Sequence, residues 1–271
     1  MKKKQVAFIV AGNPDKTIQE ELTRQTTMLV NSIRKFHSEE ELPIIIYGQE
    51  DLVKITDPHK FYRATPLFGK ELVKEYDLVL KLDSDQIITG SLNHILDVDD
   101  YDVGTVLNIN RVDPPLYGFV HCFNIAPQIY YNCGLVAMRS EAFVNHWYKL
   151  CMSDFFFQFQ YREQDLLNIM CYFGDYKVRC FDRYDPAHRA NFWNGLIAKG
   201  EGLRMILKDG QLVLPKGPDN YPDRNVIVKS YHWAGGANEK KMHYRTLFTE
   251  PVIEYFGWLV SDSKEPFNAK T

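Results

Sequence analysis

The nine residues VLKLDSDQI, positions 79–87, set the problem for this chain. Three apolar residues and one lysine run directly into Asp83-Ser84-Asp85. A buried strand rarely ends in two bare carboxylates, because like charges repel and each is costly to desolvate. Residues two apart in extended backbone point to the same side, so Asp83 and Asp85 can converge on one point. Four occupants of that arrangement compete: a divalent metal, a shared proton in an acid–base dyad, water at a solvated turn, or a glycosidic bond. The last fits poorly, since glycosidase carboxylates flank a bond at a separation of at least ~5 Å. Asp97-Val98-Asp99 and Asp100-Tyr101-Asp102 repeat the spacing, but in a polar, acidic loop where a solvated face explains them.

Working outward, Val6–Val10 is β-branched or aromatic at most positions and stops at Gly12-Asn13-Pro14, a turn signal. Thr17 and Glu20 have the spacing of a helix capping box. Ile18, Leu22, Leu29, Ile33 and Phe36 then follow on one helical face. LPIIIYG (42–48) reads as a second buried strand, so the chain opens β-α-β, which predicts a parallel pair. Downstream, the pattern predicts a helix over 69–77 and strands over 78–82, 102–109 and 133–140. Helices are predicted over 141–152 and 163–173, with a late strand over 224–233. Residues 187–221, rich in Gly, Asn, Asp and Pro, read as loops and short strands, and the polar tail as frayed. Alternating strands and helices define the α/β class with a mostly parallel sheet. Such sheets bind ligands at the carboxyl ends of their strands, where Asp83, Asp85 and His232 fall.

Composition narrows the function. The 271 residues are 45% hydrophobic and 25% charged, values typical of a globular protein. A net charge of -3 argues against a nucleic-acid partner. No stretch approaches the ~20 apolar residues of a membrane span. MKKKQVAFIVAG has a basic start, but its apolar core is short for a signal peptide and no A-x-A site follows. The five cysteines (122, 133, 151, 171 and 180) include no C-x-x-C pair. They read as small core residues in a reducing, cytoplasmic setting. No G-x-G-x-x-G or Walker loop is present to cradle phosphates.

Four segments, in order, resemble glycosyltransferase family 8, whose members have the GT-A fold. They are FYRATPLFGKELVKEYDLVLKLDSD (61–85), YYNCGLVAMRS (130–140), EQDLLN (163–168) and VKSYHWAGGANEKK (228–241). The resemblance spans about residues 5–241 and departs from the family pattern at two places. Glu163 stands where an aspartate is usual, and the lysine after Gly235 comes late, at Lys240 or Lys241. The resemblance implies a Rossmann-like α/β/α sandwich forming a single GT-A domain over 1–271. Within it, 1–110 would be the nucleotide-binding half, 111–245 the sugar and acceptor half, and 246–271 the tail.

The resemblance also implies roles. Asp83, Asp85 and His232 would hold Mn²⁺ or Mg²⁺, the one imidazole favouring Mn²⁺. Ala11, Asn13, Arg63, Asp83, Ser84, Asp85, Asn132, Gly235, Lys240 and Lys241 would hold a UDP-sugar. Gly236 would let backbone approach the phosphates alongside Gly235. Gln164, with Glu163 and Asp165 as carboxylate alternatives, would act at the anomeric carbon. Each has a plainer reading: a turn at Asn13, a surface arginine at 63, a core histidine at 232, helix capping at 163 and 165. The aromatics Phe155–Phe157, Phe159, Tyr161, Phe192 and Trp193 are a sugar-stacking wall or simply core; Trp233 is the better sugar contact. The expected activity is transfer of a hexose from a UDP-sugar to the hydroxyl of an unidentified glycan or other acceptor, with retention. A sugar-nucleotide pyrophosphorylase, or a UDP- and metal-binding protein without turnover, are the alternatives. AGNPDKT lacks the basic glycine loop of the former.

Overall fold

The computed structural model describes residues 4–107, 130–181, 190–194, 206–216 and 224–232. β1 (Gln5–Val10) is buried from Val6 to Ile9. Gly12 follows where the chain passes so close to the next crossover that a Cβ would lie 2.6 Å from Leu52 Cδ1. Helix α1 (Lys16–Arg34) is capped by Asp15, whose carboxylate accepts from Thr17 N at 2.9 Å and Ile18 N at 3.1 Å. The expected Thr17–Glu20 box is therefore displaced, because Asp15 holds the extended cap conformation and Thr17 is already helical. Leu29 and Ile33 bury the expected face, together with the polar Gln25, Thr26 and Ser32. Phe36 lies past the helix end.

β2 (Ile44–Tyr47) pairs parallel with β1, as the β-α-β opening predicts. It is an edge strand rather than a buried one, and Ile46 is exposed. After α2 (Gln49–Val53) comes α3 (Lys60–Leu72), which begins nine residues earlier than the expected 69–77 helix and contains Pro66. Packing overrides the proline's cost: Arg63, Ala64, Thr65, Pro66, Gly69 and Leu72 form a buried stripe. Gly69 lets Met138 approach to about a Cβ contact distance.

β3 (Leu78–Leu82) is wholly buried and parallel to β1. The chain then enters β4 (Gln86–Ile88), a strand of a different sheet. α4 (Asn93–Leu96), β5 (Val103–Leu107) and β6 (Tyr131–Met138) follow. β6 runs antiparallel to both β3 and β5. Next come α5 (Glu141–Met152), capped by Ser140, a 3-10 turn (Asp154–Gln158), α6 (Arg162–Phe173) and β7 (Val178–Cys180). The first sheet has the order β2-β1-β3-β6-β5-β7, with three of its five pairings parallel.

Alternation along the strands builds two cores. Val6, Phe8, Val79, Val136 and Met138 join Phe143, Trp147, Leu166 and Leu167 of α5 and α6. Ala7, Ile9, Leu80, Leu82 and Ala137 face the other way, against Leu29 and Ile33 of α1 and Ile95 of α4. The result is an α/β/α sandwich. A second sheet joins β4 to β11 (Arg224–His232), β10 (Gln211–Lys216) and β9 (Ile206–Lys208), with β8 (Ala190–Asn194) beside β11. No helix among the described residues is long and apolar enough to cross a membrane.

Candidate active site

The site forms where the chain changes sheets. Asp83-Ser84-Asp85 is a bend between β3 and β4, not a continuation of the strand. Backbone contacts hold the bend. Asp83 N donates to Gly134 O at 2.8 Å. The fully buried Gln86 donates through Nε2 to Asp83 O (3.0 Å) and Gly134 O (2.8 Å), and its Oε1 accepts from Ser230 Oγ (3.2 Å). One glutamine thus ties β4 to β6 and β11. His232 ends β11 in register with Gln86, which brings it over the bend.

His232 Nε2 lies 2.9 Å from Asp85 Oδ1 and 3.7 Å from Asp83 Oδ2. One ligand atom from each of the three residues falls within 4.8 Å of the others. The imidazole is 1% exposed, while the Asp83 side chain is 39% exposed, so the cluster opens on the Asp83 side. Gly134 makes room for the ring: a Cβ there would sit 2.3 Å from His232 Cε1. Ser84 is buried beneath the bend.

Lys81, which the sequence reading passed over, completes the cluster. Its ammonium donates to Asp83 Oδ1 and, at 2.6 Å, to Cys133 O. Burial is the largest influence and pushes the amine down, but the Asp83 charge and hydrogen bond, with Cys133 and Glu163, together outweigh it and leave its pKa above the ordinary value. The signal was available. Lys81 interrupts an apolar strand two residues before Asp83, the spacing that turns both side chains the same way.

The Asn132 and Glu163–Asp165 residues come together on the other side of Gly134. Asn132 Oδ1 accepts from Gly134 N at 2.6 Å. Gln164 Oε1 accepts from Cys133 N at 2.9 Å, which fixes the amide's orientation and fastens α6 to β6. Asn168 binds both the N–H and C=O of Tyr131, at 2.7 and 2.9 Å, a clamp the EQDLLN motif did not reveal. Asp165 is fully buried and engaged at both oxygens, by Tyr130 OH (2.5 Å) and Tyr161 N (2.8 Å). It closes the start of α6, the capping role that its position allows. Burial nevertheless lifts its carboxyl to about 6. Glu163 is lifted further, to about 8, chiefly by burial; Lys81 pulls it down and Asp83 pushes it up. Its Oε2 is buried without a hydrogen-bond partner among the described residues.

Arg63 is neither on the surface nor open to a ligand. Its guanidinium pairs with Asp57 and lies over the Phe156 ring, 4.5 Å from the centroid. Burial is the largest influence and works against the Asp57 carboxylate, but the Arg63 hydrogen bond, the His59 amide and the charges of both residues together keep its pKa below the usual value. The pair locks α3 to the 3-10 turn. The neighbouring aromatics pack mainly on one another, as Phe155 and Phe159 do at 4.7 Å, although Phe157 is exposed. Ile9 lies opposite Leu82, so Ala11 and Asn13 follow the strand adjacent to Asp83. Both are engaged in a turn: Gln19 Nε2 donates to Ala11 O (3.1 Å), and Asn13 Oδ1 accepts from Asp15 N (2.9 Å). Trp233, Gly235, Gly236, Lys240 and Lys241 lie outside the described residues, as does Cys122.

No protein-family model matches the chain, and no curated protein matches its sequence. Solved structures do match its shape. The galactosyltransferase LgtC, solved with donor and acceptor sugar analogs, superposes with a TM-score of 0.55 at 16% identity, over 97% of this chain and 98% of its own. This is the GT-A fold. A glycosyltransferase involved in glycosylation of the major capsid of PBCV-1 matches the same GT-A chain at a TM-score of 0.51 and 14% identity, over 89% of this chain and 98% of its own. Mouse xyloside xylosyltransferase 1 gives 0.50 and 10%, over 86% and 99%.

Proposed function

We propose that this GT-A chain is a metal-dependent glycosyltransferase of the family 8 type, transferring a hexose from a UDP-sugar to a hydroxyl acceptor with retention of configuration. The observation that carries the reading is the convergence of Asp83, Asp85 and His232 at the junction of the two sheets. Two carboxylate oxygens and one imidazole nitrogen suit a hard to borderline divalent cation, so the residues fit Mn²⁺ or Mg²⁺. Such a cation, when bound, neutralises charge on a departing diphosphate. The described neighbours of this fold are glycosyltransferases, which supports the transferase class over nucleotidyl transfer.

The chain's own residues then divide the work. Asp85 and His232 face each other and would hold the ion with Asp83, whose Oδ1 is engaged by Lys81 and whose Oδ2 faces His232. Ala11 and Asn13 border the nucleoside side, and Gly235 with Lys240 or Lys241 would meet the diphosphate. Asn132, Glu163 and Gln164 border the sugar side. Gln164 Oε1 already accepts one hydrogen bond, and its second lone pair is the group that would face an oxocarbenium-like carbon. Retention needs no strong base opposite the leaving group, so the proton on the acceptor can pass to the departing phosphate. Arg63, committed to Asp57, receives no donor role. The reading treats 1–271 as one domain, with 1–110 towards the nucleotide and 111–245 towards the sugar, in a cytoplasmic setting that the free thiols of Cys133 and Cys151 support.

Thermal unfolding with UDP tests the reading. A ligand at about 100 times its dissociation constant adds roughly 2.7 kcal/mol. For a chain of this size that is about 5–10 °C. The shift is expected with Mn²⁺ or Mg²⁺ and absent with EDTA; an equal shift in EDTA overturns the metal-bridged donor. NMR of the product from an α-linked UDP-sugar checks the stereochemistry, a β product moving the catalytic role from Gln164 to Glu163 or Asp165.

A further inference from the structure

A buried lysine beside a proposed cation site is unexpected, because a positive charge repels the ion the site is built to hold. Lys81 is 6% exposed, and its ammonium touches both Asp83 Oδ1 and the Cys133 carbonyl. It stands on β3 between Phe8 of β1 and Val136 of β6, so it has no room to swing away. Asp83 shares one carboxylate between two tasks: Oδ1 holds the lysine and Oδ2 faces His232. The ammonium is therefore one carboxylate group away from the point where Asp83, Asp85 and His232 meet.

The charge balance follows. A ligating histidine is neutral. Two carboxylates and a divalent ion then cancel, and a site made of these alone would meet a diphosphate with no net charge. With Lys81 included, the empty site carries one negative charge instead of two, and the loaded site keeps one positive charge. We propose that Lys81 sets the charge of the site, weakening its grip on a bare divalent cation and strengthening the grip of the cation-loaded site on a nucleoside diphosphate. The consequence is ordered use of the two ligands: the ion is held firmly only together with the diphosphate. This inference rests on the metal-dependent reading above and adds a positioning and charge-setting residue to it.

Calorimetry separates this role from a merely structural one. Mn²⁺ alone is titrated into the wild type, Lys81→Met, Lys81→Gln and Lys81→Arg, and UDP is then titrated at saturating Mn²⁺. A unit charge about 5 Å from the ion changes a binding constant by about 4-fold at the dielectric of water and by about 250-fold at an effective dielectric of about 20, so a site open to solvent on one side falls between the two. In the Met and Gln variants, Mn²⁺ is expected to bind about ten-fold tighter and UDP about ten-fold weaker, with both near wild type in the Arg variant. A structural lysine predicts that both affinities fall together; that result, or no change in either, overturns the proposal and leaves the metal site standing. A wild type that binds no Mn²⁺ overturns the metal reading and this inference together. If neither neutral variant folds, ¹⁵N NMR of the lysine-labelled wild type decides. The Lys81 ammonium signal, assigned by its loss in Lys81→Arg, must shift when Mg²⁺ is added; a signal that stays put overturns the proposal.

Discussion

Asp83 and Asp85 have the same spacing as Glu163 and Asp165, yet the two pairs have opposite fates. Asp83 and Asp85 lie in a bend, turn toward one another, and meet cationic or ionisable partners, Lys81 and His232. Glu163 and Asp165 lie on the first turn of α6, where residues two apart point about 200° apart around the axis. They diverge, Asp165 onto Tyr130 and the Tyr161 amide, Glu163 into a buried position whose Oε2 lacks a partner among the described residues. Burial lifts the second pair to about 6 and about 8. Equal spacing thus yields a cluster able to hold a metal ion where the backbone bends, and a helix closure plus a proton-holding acid where it coils.

The contrast breaks most visibly in activity. Asp85→Ala should lower metal-dependent turnover by on the order of a hundred-fold or more, since the ion supplies several kcal/mol of charge stabilisation. Its melting temperature should fall by only a few degrees, because the loss is one buried contact to His232 Nε2 and no core packing. His232→Ala should match it in turnover. If His232→Ala unfolds the protein while Asp85→Ala stays active, the cluster is structural and the contrast fails.

Asp165→Ala should do the reverse. It removes the carboxylate that accepts from the Tyr161 amide and the Tyr130 hydroxyl, and losses of this kind total roughly 2–4 kcal/mol. Denaturant unfolding measures that loss, and Mn²⁺-dependent UDP stabilisation should survive in the folded fraction. Gly134→Ala probes the boundary between the two pairs. Its Cβ would collide with the His232 ring, so roughly 1–3 kcal/mol of overpacking is expected, with Mn²⁺ affinity falling alongside. Unchanged Mn²⁺ binding in this variant would mean that the ring position is not what the ion reads.

The smallest effect concerns Glu163 and pH. Its folded pKa of about 8 lies above the ordinary 4.5, so the folded state holds the proton more tightly. The associated stability is fully present below about pH 4.5 and is lost as pH rises through about 8. Glu163→Gln removes that loss. The variant should differ little from wild type at pH 4–5 and be more stable by on the order of 1–3 kcal/mol at pH 9. Parallel stability–pH curves for the two proteins would show that Glu163 is not a buried neutral acid.

Much of this contrast was readable before any coordinates. β3 and α5 follow their apolar patterns to the residue, and α6 to within one. The carboxylates after Leu82 stood out because an apolar run seldom ends that way. What escaped depended on partners far along the chain. Arg63 is settled by Asp57 and Phe156, neither of which has a pattern that names it. Gly134 is required by a ring on β11. The antiparallel direction of β6 has no local sequence cue, because strand periodicity is the same in both directions. The first turns of α3, over Lys60–Phe68, escape the 69–77 reading because their buried stripe includes Arg63, Thr65 and Pro66, which carry no apolar period. Lys81 alone was fully visible and overlooked, its alternation with Asp83 being as plain as that of Asp85.

The switch of sheets between Asp83 and Gln86 also sets a clock. Asp85 and His232 are 147 positions apart. At a synthesis rate of roughly 5–20 residues per second, the histidine leaves the ribosome roughly 7–30 s after the aspartates. During that interval β1, β2 and β3 can already pair, and Lys81 can meet Asp83, but β4 has no β11 to join and Asp85 has no His232 to face. The lysine is then the counter-charge at Asp83 from this constellation, so the nascent strand end carries one neutralised carboxylate rather than two bare ones. Closure of β11 against β4 is a contact of long sequence separation and therefore slow. Acquisition of the third ligand is thus a late event in maturation, and Mn²⁺ affinity measured during refolding would report completion of the second sheet rather than of the first.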